Sequence, residues 1–231
     1  MFFGGEIMFN LPKSTEVNQR IPKQEIYERV KISAALQKKF AEQVETICWR
    51  NKISVDTSNP AAGNYVTEIE IFELKLRAEP IDEKVLRLID KAISSYQIIF
   101  VLSRNGLYRA CAAYKNESIS KNYFYTDRFS EDELPIALQG LTLDDAYENF
   151  IRQIAGETLQ GIAGETFSDV INRFNKILLI ERKMKTLSRK MSSEKQFNRQ
   201  LEMNRQLKIW QNEVERLRSG SDGRQVGGRL A

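Results

Sequence analysis

The period of apolar positions changes several times along the chain, and each change predicts an element. From Gln24 onward, Ile26, Val30, Ala34, Phe40, Val44 and Ile47 fall near helical spacing and predict one long helix to about Cys48. Ahead of it, Leu11 to Lys23 is polar, carries Pro12 and Pro22, and reads as an extended lead-in. Trp49 to Val55 reads as a short strand, and Asp56 to Asn64, dense in turn residues, as a loop. Tyr65 to Arg77 gives the clearest strand signal. There Val66, Ile69, Ile71 and Phe72, then Leu74 and Leu76, are interleaved with Thr67, Glu68, Glu70, Glu73 and Lys75. The apolar phase slips once, at Ile71-Phe72, which predicts a bulge or a change of face.

Pro80, suited to a first helical turn, opens a predicted helix through Val85, Leu86, Leu88, Ile89 and Ile93. Gln97 to Ser103 reads as a buried strand, Asn105-Gly106 as a hairpin turn, Leu107 to Tyr114 as the returning strand, and Asn122 to Thr126 as a further one. Leu141 to Ile154 forms another helix, with Thr142 as N-cap and Asp145 completing a capping box. A local repeat, Ile154 to Thr158 and Ile162 to Thr166, places glycines that break the pattern. Beyond it, Ile177, Ile180, Met184, Leu187 and Met191 keep helical spacing, and a second phase runs through Met203, Leu207, Trp210, Val214 and Leu217. The break at Ser192 to Gln196, where Ser193 and Gln196 match an S-x-x-Q capping box, marks either two helices or one helix with a stutter.

The fold class expected from these elements is α+β: a mixed or antiparallel sheet with flanking helices, followed by a C-terminal basic, coiled-coil-like helical arm. The corresponding divisions are an extended lead-in over 1–23, an α+β core over 24–155 and a glycine-containing junction over 156–170. The arm follows over 171–218, then a disordered tail over 219–231. Met8 is as good a start as Met1, and residues 1–7 read as an extension.

Charge divides the chain in the same place. Residues 171–218 hold thirteen Lys and Arg against five acids, whereas residues 1–170 hold twenty against twenty-five, so an overall +4 conceals an acidic body and a positive handle. Asymmetry of this kind points to a polyanion or an acidic protein partner. The chain has no histidine, which removes Ser-His-Asp and Cys-His nucleophilic sites and the usual zinc sites. No glycine-rich phosphate loop occurs. An enzyme here would have to work with carboxylates, lysine and a hard metal. Two cysteines, Cys48 and Cys111, suggest no disulfide framework, and no run of about 18 apolar residues supplies a membrane span, so the expected compartment is the cytoplasm.

Three patterns carry candidate chemistry. Glu73-Leu74-Lys75 on the best strand, with Asp56 in the preceding loop or Glu70 on the same strand, matches a Mg²⁺-dependent restriction-endonuclease-like site. In such a site the carboxylates hold the metal and the lysine orients or activates water; Glu42 or Glu45 on the first helix would extend the pattern. Strand alternation with cross-strand charge pairing gives the same residues with no catalysis. Asp90-Lys91 reads as an acid/base pair or as a solvated helix end. Tyr114-Lys115 and Tyr123-Phe124-Tyr125 read as a base-stacking platform or as edge aromatics packing on the core. In the arm, Lys183, Arg189, Lys190, Lys195, Arg199 and Arg205 are the residues expected to contact a partner or a nucleic-acid backbone.

Several segments taken together resemble the prokaryotic domain-of-unknown-function family 4391. They are Met8 to Asn18 with Arg20 to Lys23, Glu68 to Leu74, Ile89 to Ile93, Phe100 to Leu102, Ala113 to Lys115, Tyr147 to Asn149, Ile151 to Ile154 and, most distinctively, Glu194 to Arg199. The resemblance supplies no activity. It implies genes lying beside DNA methyltransferase and helicase genes of restriction-modification and phage-defence type. The chain departs from the family pattern at Ile93 to Gln97, where an Ile-Pro-Tyr-His run is common, and the family does not hold lysine fixed at the position of Lys75. The expectation is therefore a non-enzymatic accessory or adaptor subunit that needs no cofactor and docks a larger DNA-acting protein through the arm. The Mg²⁺ nuclease and a self-associating coiled coil without nucleic-acid contact are the alternatives.

Overall fold

The computed structural model describes residues 11–93, 95–116, 118, 119 and 122–220. They form an α+β protein made of two compact units that divide after Gly156. Among the described residues, no helix is long and apolar enough to cross a membrane.

The first unit is built on a six-stranded mixed sheet, ordered β1-β2-β3-β4-β5-β8. Its strands are β1 (Glu16–Ile21), β2 (Val44–Ile53), β3 (Ile69–Leu76), β4 (Gln97–Arg104), β5 (Leu107–Ala112) and β8 (Phe124–Tyr125). The two-residue strands β6 (Lys115–Asn116) and β7 (Ser118–Ile119) form a separate ribbon. β3 and β4 are parallel and joined by helix α3 (Glu83–Ala92); every other neighbouring pair in the large sheet is antiparallel. On one face Phe72, Leu74, Leu76, Ile98, Phe100, Leu102, Cys111 and Ala113 pack under α1 (Lys23–Arg29), α2 (Ala34–Gln43) and α3. The intervening residues Ile69, Ile71, Ile99, Val101, Ala110 and Ala112 are equally buried, so both faces of the central strands are covered. Helix α4 (Leu143–Ala155) packs against β5 and β8, with the expected Thr142–Asp145 capping box in place.

Three expectations are corrected. The extended lead-in is not among them: within it Glu16–Ile21 pairs with β2 as an edge strand. It is mostly exposed and bulges at Asn18 (φ 52°), so it carries no apolar alternation to read. The single helix over 24–48 is two short helices and half a strand. Ser33 caps α2 by accepting the Leu36 N–H, and Val44, Thr46 and Ile47, branched at Cβ, enter β2 opposite Leu76, Lys75 and Leu74. The phase slip at Ile71-Phe72 lies in a strand that is itself regular. Trp49 faces Phe72 and Asn51 faces Ile71, so the extra residue is Arg50 of β2. Pro80 lies before α3, and Asp82 is the cap, its Oδ1 accepting the Lys84 N–H at 2.8 Å.

Gly63 marks a close approach. The Asp144 carboxylate, at the start of α4, accepts backbone N–H groups from Asn64, Tyr65 and Val66 at 2.6, 3.2 and 2.8 Å. A Cβ on Gly63 would lie 2.2 Å from Asp144 Oδ1. Only glycine fits there.

The second unit is a helical hairpin of α5 (Phe167–Ser193) and α6 (Phe197–Ser219). α5 begins within the segment read as junction, where Thr166 and Asp169 form a capping box. Of the two readings of the arm, two helices are present, but the S-x-x-Q box is not. Ser193 ends α5, and the Glu194 carboxylate accepts the N–H groups of Lys195 and Gln196 at 2.8 and 3.0 Å. The two apolar phases meet as an internal seam: Ile177, Ile180 and Val214 are buried, with Met184, Trp210 and Leu217 packed on them. Residues 1–10 and 221–231, including the first three residues of the family-like start and nearly all of the expected tail, lie outside the described residues.

Candidate functional site

Glu73 and Lys75 share a strand face, as expected from alternation, yet each is already occupied. Arg50 Nε and Nη2 both lie 2.8 Å from Glu73 Oε2, and Ser103 Oγ donates to Oε1 at 2.6 Å. Lys75 pairs with Glu45 at 3.1 Å. Glu70, three residues from Glu73 on a regular strand, points to the opposite face. Ile53 pairs with Ile69, so the loop bearing exposed Asp56 leaves the sheet four residues, about 13 Å, away from Glu73. The four residues therefore do not converge. Among the described residues, no group of three or more His, Cys, Asp or Glu side chains could hold a metal ion.

Buried charge collects instead at the end of the sheet where β3 and β4 begin. Asp90, on the last turn of α3, is 2% exposed, not the solvated helix end that its position suggested. Lys115 Nζ lies 2.6 Å from Asp90 Oδ1 and donates to the Tyr96 carbonyl at 3.2 Å, while Tyr123 donates to Asp90 Oδ2. Burial and the Asp90 charge together push the Tyr123 hydroxyl well above the ordinary tyrosine range. The Tyr147 hydroxyl donates to the Ala113 carbonyl and accepts the Lys115 N–H, both at 2.8 Å, which fixes the chain just before the lysine. Tyr123 and Phe124 are buried in the core, so packing explains the aromatic run.

Glu68, just before β3, and Glu70 on it lie two residues apart, both buried, with Lys52 Nζ 2.5 Å from Glu68. Burial and the hydrogen-bonded Glu68 carboxylate push Glu70 up to about 9. For Glu68, burial acts upward but the hydrogen bonds with Glu70 and Lys52 outweigh it and hold the group below the usual range. Glu68 and Glu70 thus form a carboxyl–carboxylate pair that holds one proton at neutral pH. Sequence reasoning gave Asp90 and Lys115 separate roles and missed their pairing. The available signal was that the segments Glu68 to Leu74, Ile89 to Ile93 and Ala113 to Lys115 all carry the family resemblance, and here they come together.

The hairpin divides by charge along its length. At its base the cations are engaged. Arg173 holds Glu165 through two bonds at 2.7 and 2.8 Å and also donates to the Leu217 and Gln160 carbonyls. Lys176 pairs with Glu213 at 2.9 Å, and Arg218 with Glu181 at 2.7 Å. From Arg182 to Lys208, around the tip, nine Lys and Arg face two acids, Glu194 and Glu202. All six candidate contact residues are exposed and lie in this distal half. Arg199 and Arg205 reach those glutamates only loosely, at 3.8 and 3.7 Å. Surface pairs of that kind contribute little. Lys183, Arg189, Lys190 and Lys195 have no carboxylate partner among the described residues.

A family model described as "Domain of unknown function (DUF4391)" matches residues 9–214, and the chain belongs to that family. No curated protein and no solved structure matches the chain.

Proposed function

We propose that this member of the DUF4391 family is a non-enzymatic accessory subunit of a prokaryotic DNA restriction-modification or phage-defence assembly. Its basic hairpin docks a larger DNA-acting protein of methyltransferase or helicase type. The observation that carries this reading is the segregation of charge within the hairpin. The base closes on its own ion pairs, whereas the distal half presents Lys183, Arg189, Lys190 and Lys195 without partners among the described residues. Unneutralised cations on a two-helix stem favour an acidic surface, and steer its approach. The engagement of Glu73 by Arg50 and Ser103, and the separation of Glu70 and Asp56 from it, favour this reading over the Mg²⁺ nuclease. The internal seam, in which Ile177, Ile180 and Met184 pack with Trp210, Val214 and Leu217, favours it over a self-associating coiled coil.

Contact with a nucleic-acid backbone draws on the same lysines and is the second reading. It would show as affinity falling log-linearly with salt. The test is co-expression of the full-length protein with the products of its neighbouring genes. Wild-type protein co-purifies with one of them, and the Lys183→Glu, Arg189→Glu, Lys190→Glu variant does not. Equal recovery with both proteins would defeat the proposal.

A further inference from the structure

The distal half of the hairpin offers more than charge. Leu179 lies off the internal seam and is 53% exposed, though leucine on a two-helix hairpin ordinarily serves the seam. It borders a shallow, open groove of about 330 Å³ that is lined also by Leu187, Trp210, Thr186, Arg182, Lys183 and Lys190. From Leu179 to Lys190 the groove follows eleven residues of α5, about 16 Å or three helical turns.

We propose that this groove receives one amphipathic helix of the partner protein, with apolar residues against Leu179, Leu187 and Trp210 and Asp or Glu along its edges. This rests on the reading of the hairpin as the docking element and names what it recognises. Helix-in-groove recognition needs an apolar floor of about this length, read by side chains at i, i+3 or i+4, and i+7. The basic walls select acidic edges, since a like-charged helix would meet Lys183 and Lys190 unscreened. By the same rule a second copy of this hairpin is excluded as occupant, because its distal half alone brings nine Lys and Arg of its own. A phosphate backbone would use the lysines and leave the Leu179 surface in water; an acidic amphipathic helix uses both.

The test uses full-length protein and a labelled synthetic helical peptide of about five turns. The peptide has leucines at helical spacing and glutamates on both flanks, and a scramble of the same composition is the control. Anisotropy is expected to show binding of the amphipathic peptide, with the scramble at least about tenfold weaker. Leu179→Ser, at a position outside the seam, and Lys183→Glu with Lys190→Glu should each weaken it by about tenfold or more, while Leu179→Met restores it. Equal binding of the scramble, or an unchanged affinity for Leu179→Ser in protein with wild-type helical content, overturns the groove assignment. The co-purified partner separates this claim from the broader one. Loss on lysine reversal but retention with Leu179→Ser leaves the docking function standing and removes the groove; retention with both removes both.

Discussion

Asp90 on α3 and Lys115 just beyond β5 form an ion pair 2.6 Å long whose side chains are 2% and 9% exposed. The pair holds the last turn of α3 to the end of the sheet at which Tyr123, Tyr96 and Tyr147 also converge. Removing one member strands the other charge away from water, whereas removing both leaves none. Lys115→Met alone is therefore expected to cost about 3–5 kcal/mol, and Asp90→Asn with Lys115→Met clearly less than the sum of the two single changes. Urea unfolding of the four proteins measures this; additive losses would show that the two groups act independently.

Glu70 gives the fold a pH dependence of definite sign. In the folded protein its carboxyl titrates near 9, against an ordinary value of 4.5, because it is buried beside Glu68. Folded protein therefore keeps a proton that the unfolded chain has released, and the contribution of this group falls as pH rises from about 4.5 to about 9. Glu68, held below its usual range, acts oppositely and only as pH falls through the acid range. Glu70→Gln keeps the shape and removes the titration, so its stability relative to wild type should grow steadily between pH 5 and pH 9. A difference that stays flat across that range, in urea midpoints, would contradict the assignment.

Arg173 closes the base of the hairpin, joining Glu165, Gln160 and the end of α6 at Leu217. Arg173→Ala should destabilise the second unit by about 1–3 kcal/mol, the usual worth of charge-assisted hydrogen bonds at a partly buried site. Hydrogen exchange should quicken first in the last turn of α6. Unchanged exchange around Leu217 would mean that the seam alone holds the helix.

Glu73 is expected to behave as a structural carboxylate. Glu73→Gln weakens the hold on Arg50 and Ser103 and should lower stability by about 1–3 kcal/mol. Mg²⁺ should leave the unfolding midpoint of wild-type protein unmoved, whereas a Mg²⁺-dependent rise lost in the variant would revive the nuclease reading.

What could be read directly from the sequence was local or periodic. The seam residues Ile177, Ile180 and Met184 with Trp210, Val214 and Leu217, the Thr142–Asp145 cap and the Asn105-Gly106 turn each depend on neighbours within a few residues, and each is present. Val44 and Ile47 misled because their spacing from Phe40 suits a helix; only the pairing with Leu76 and Leu74, some thirty residues on, makes them a strand. β1 was hidden by its polarity as an exposed edge. The buried pair of Asp90 and Lys115 was hidden more deeply. A carboxylate at a helix end and a lysine after a strand look solvated until the topology brings β5 back beside α3. The charge division of the hairpin lay in between: its excess of lysine and arginine was plain, but the confinement of unpaired cations to the distal half appeared only once the base had closed on Glu165, Glu181 and Glu213.

The central claim is that the distal hairpin is the docking element, and an affinity titration tests it most directly. With the co-purifying protein isolated, wild-type chain and the Lys183→Glu, Arg189→Glu, Lys190→Glu variant are titrated at equal ionic strength. Three reversals at about 1 kcal/mol or more each predict at least about a hundredfold loss of affinity in a variant of unchanged helical content. Affinities within about twofold of each other would place the partner elsewhere on the molecule and contradict the account.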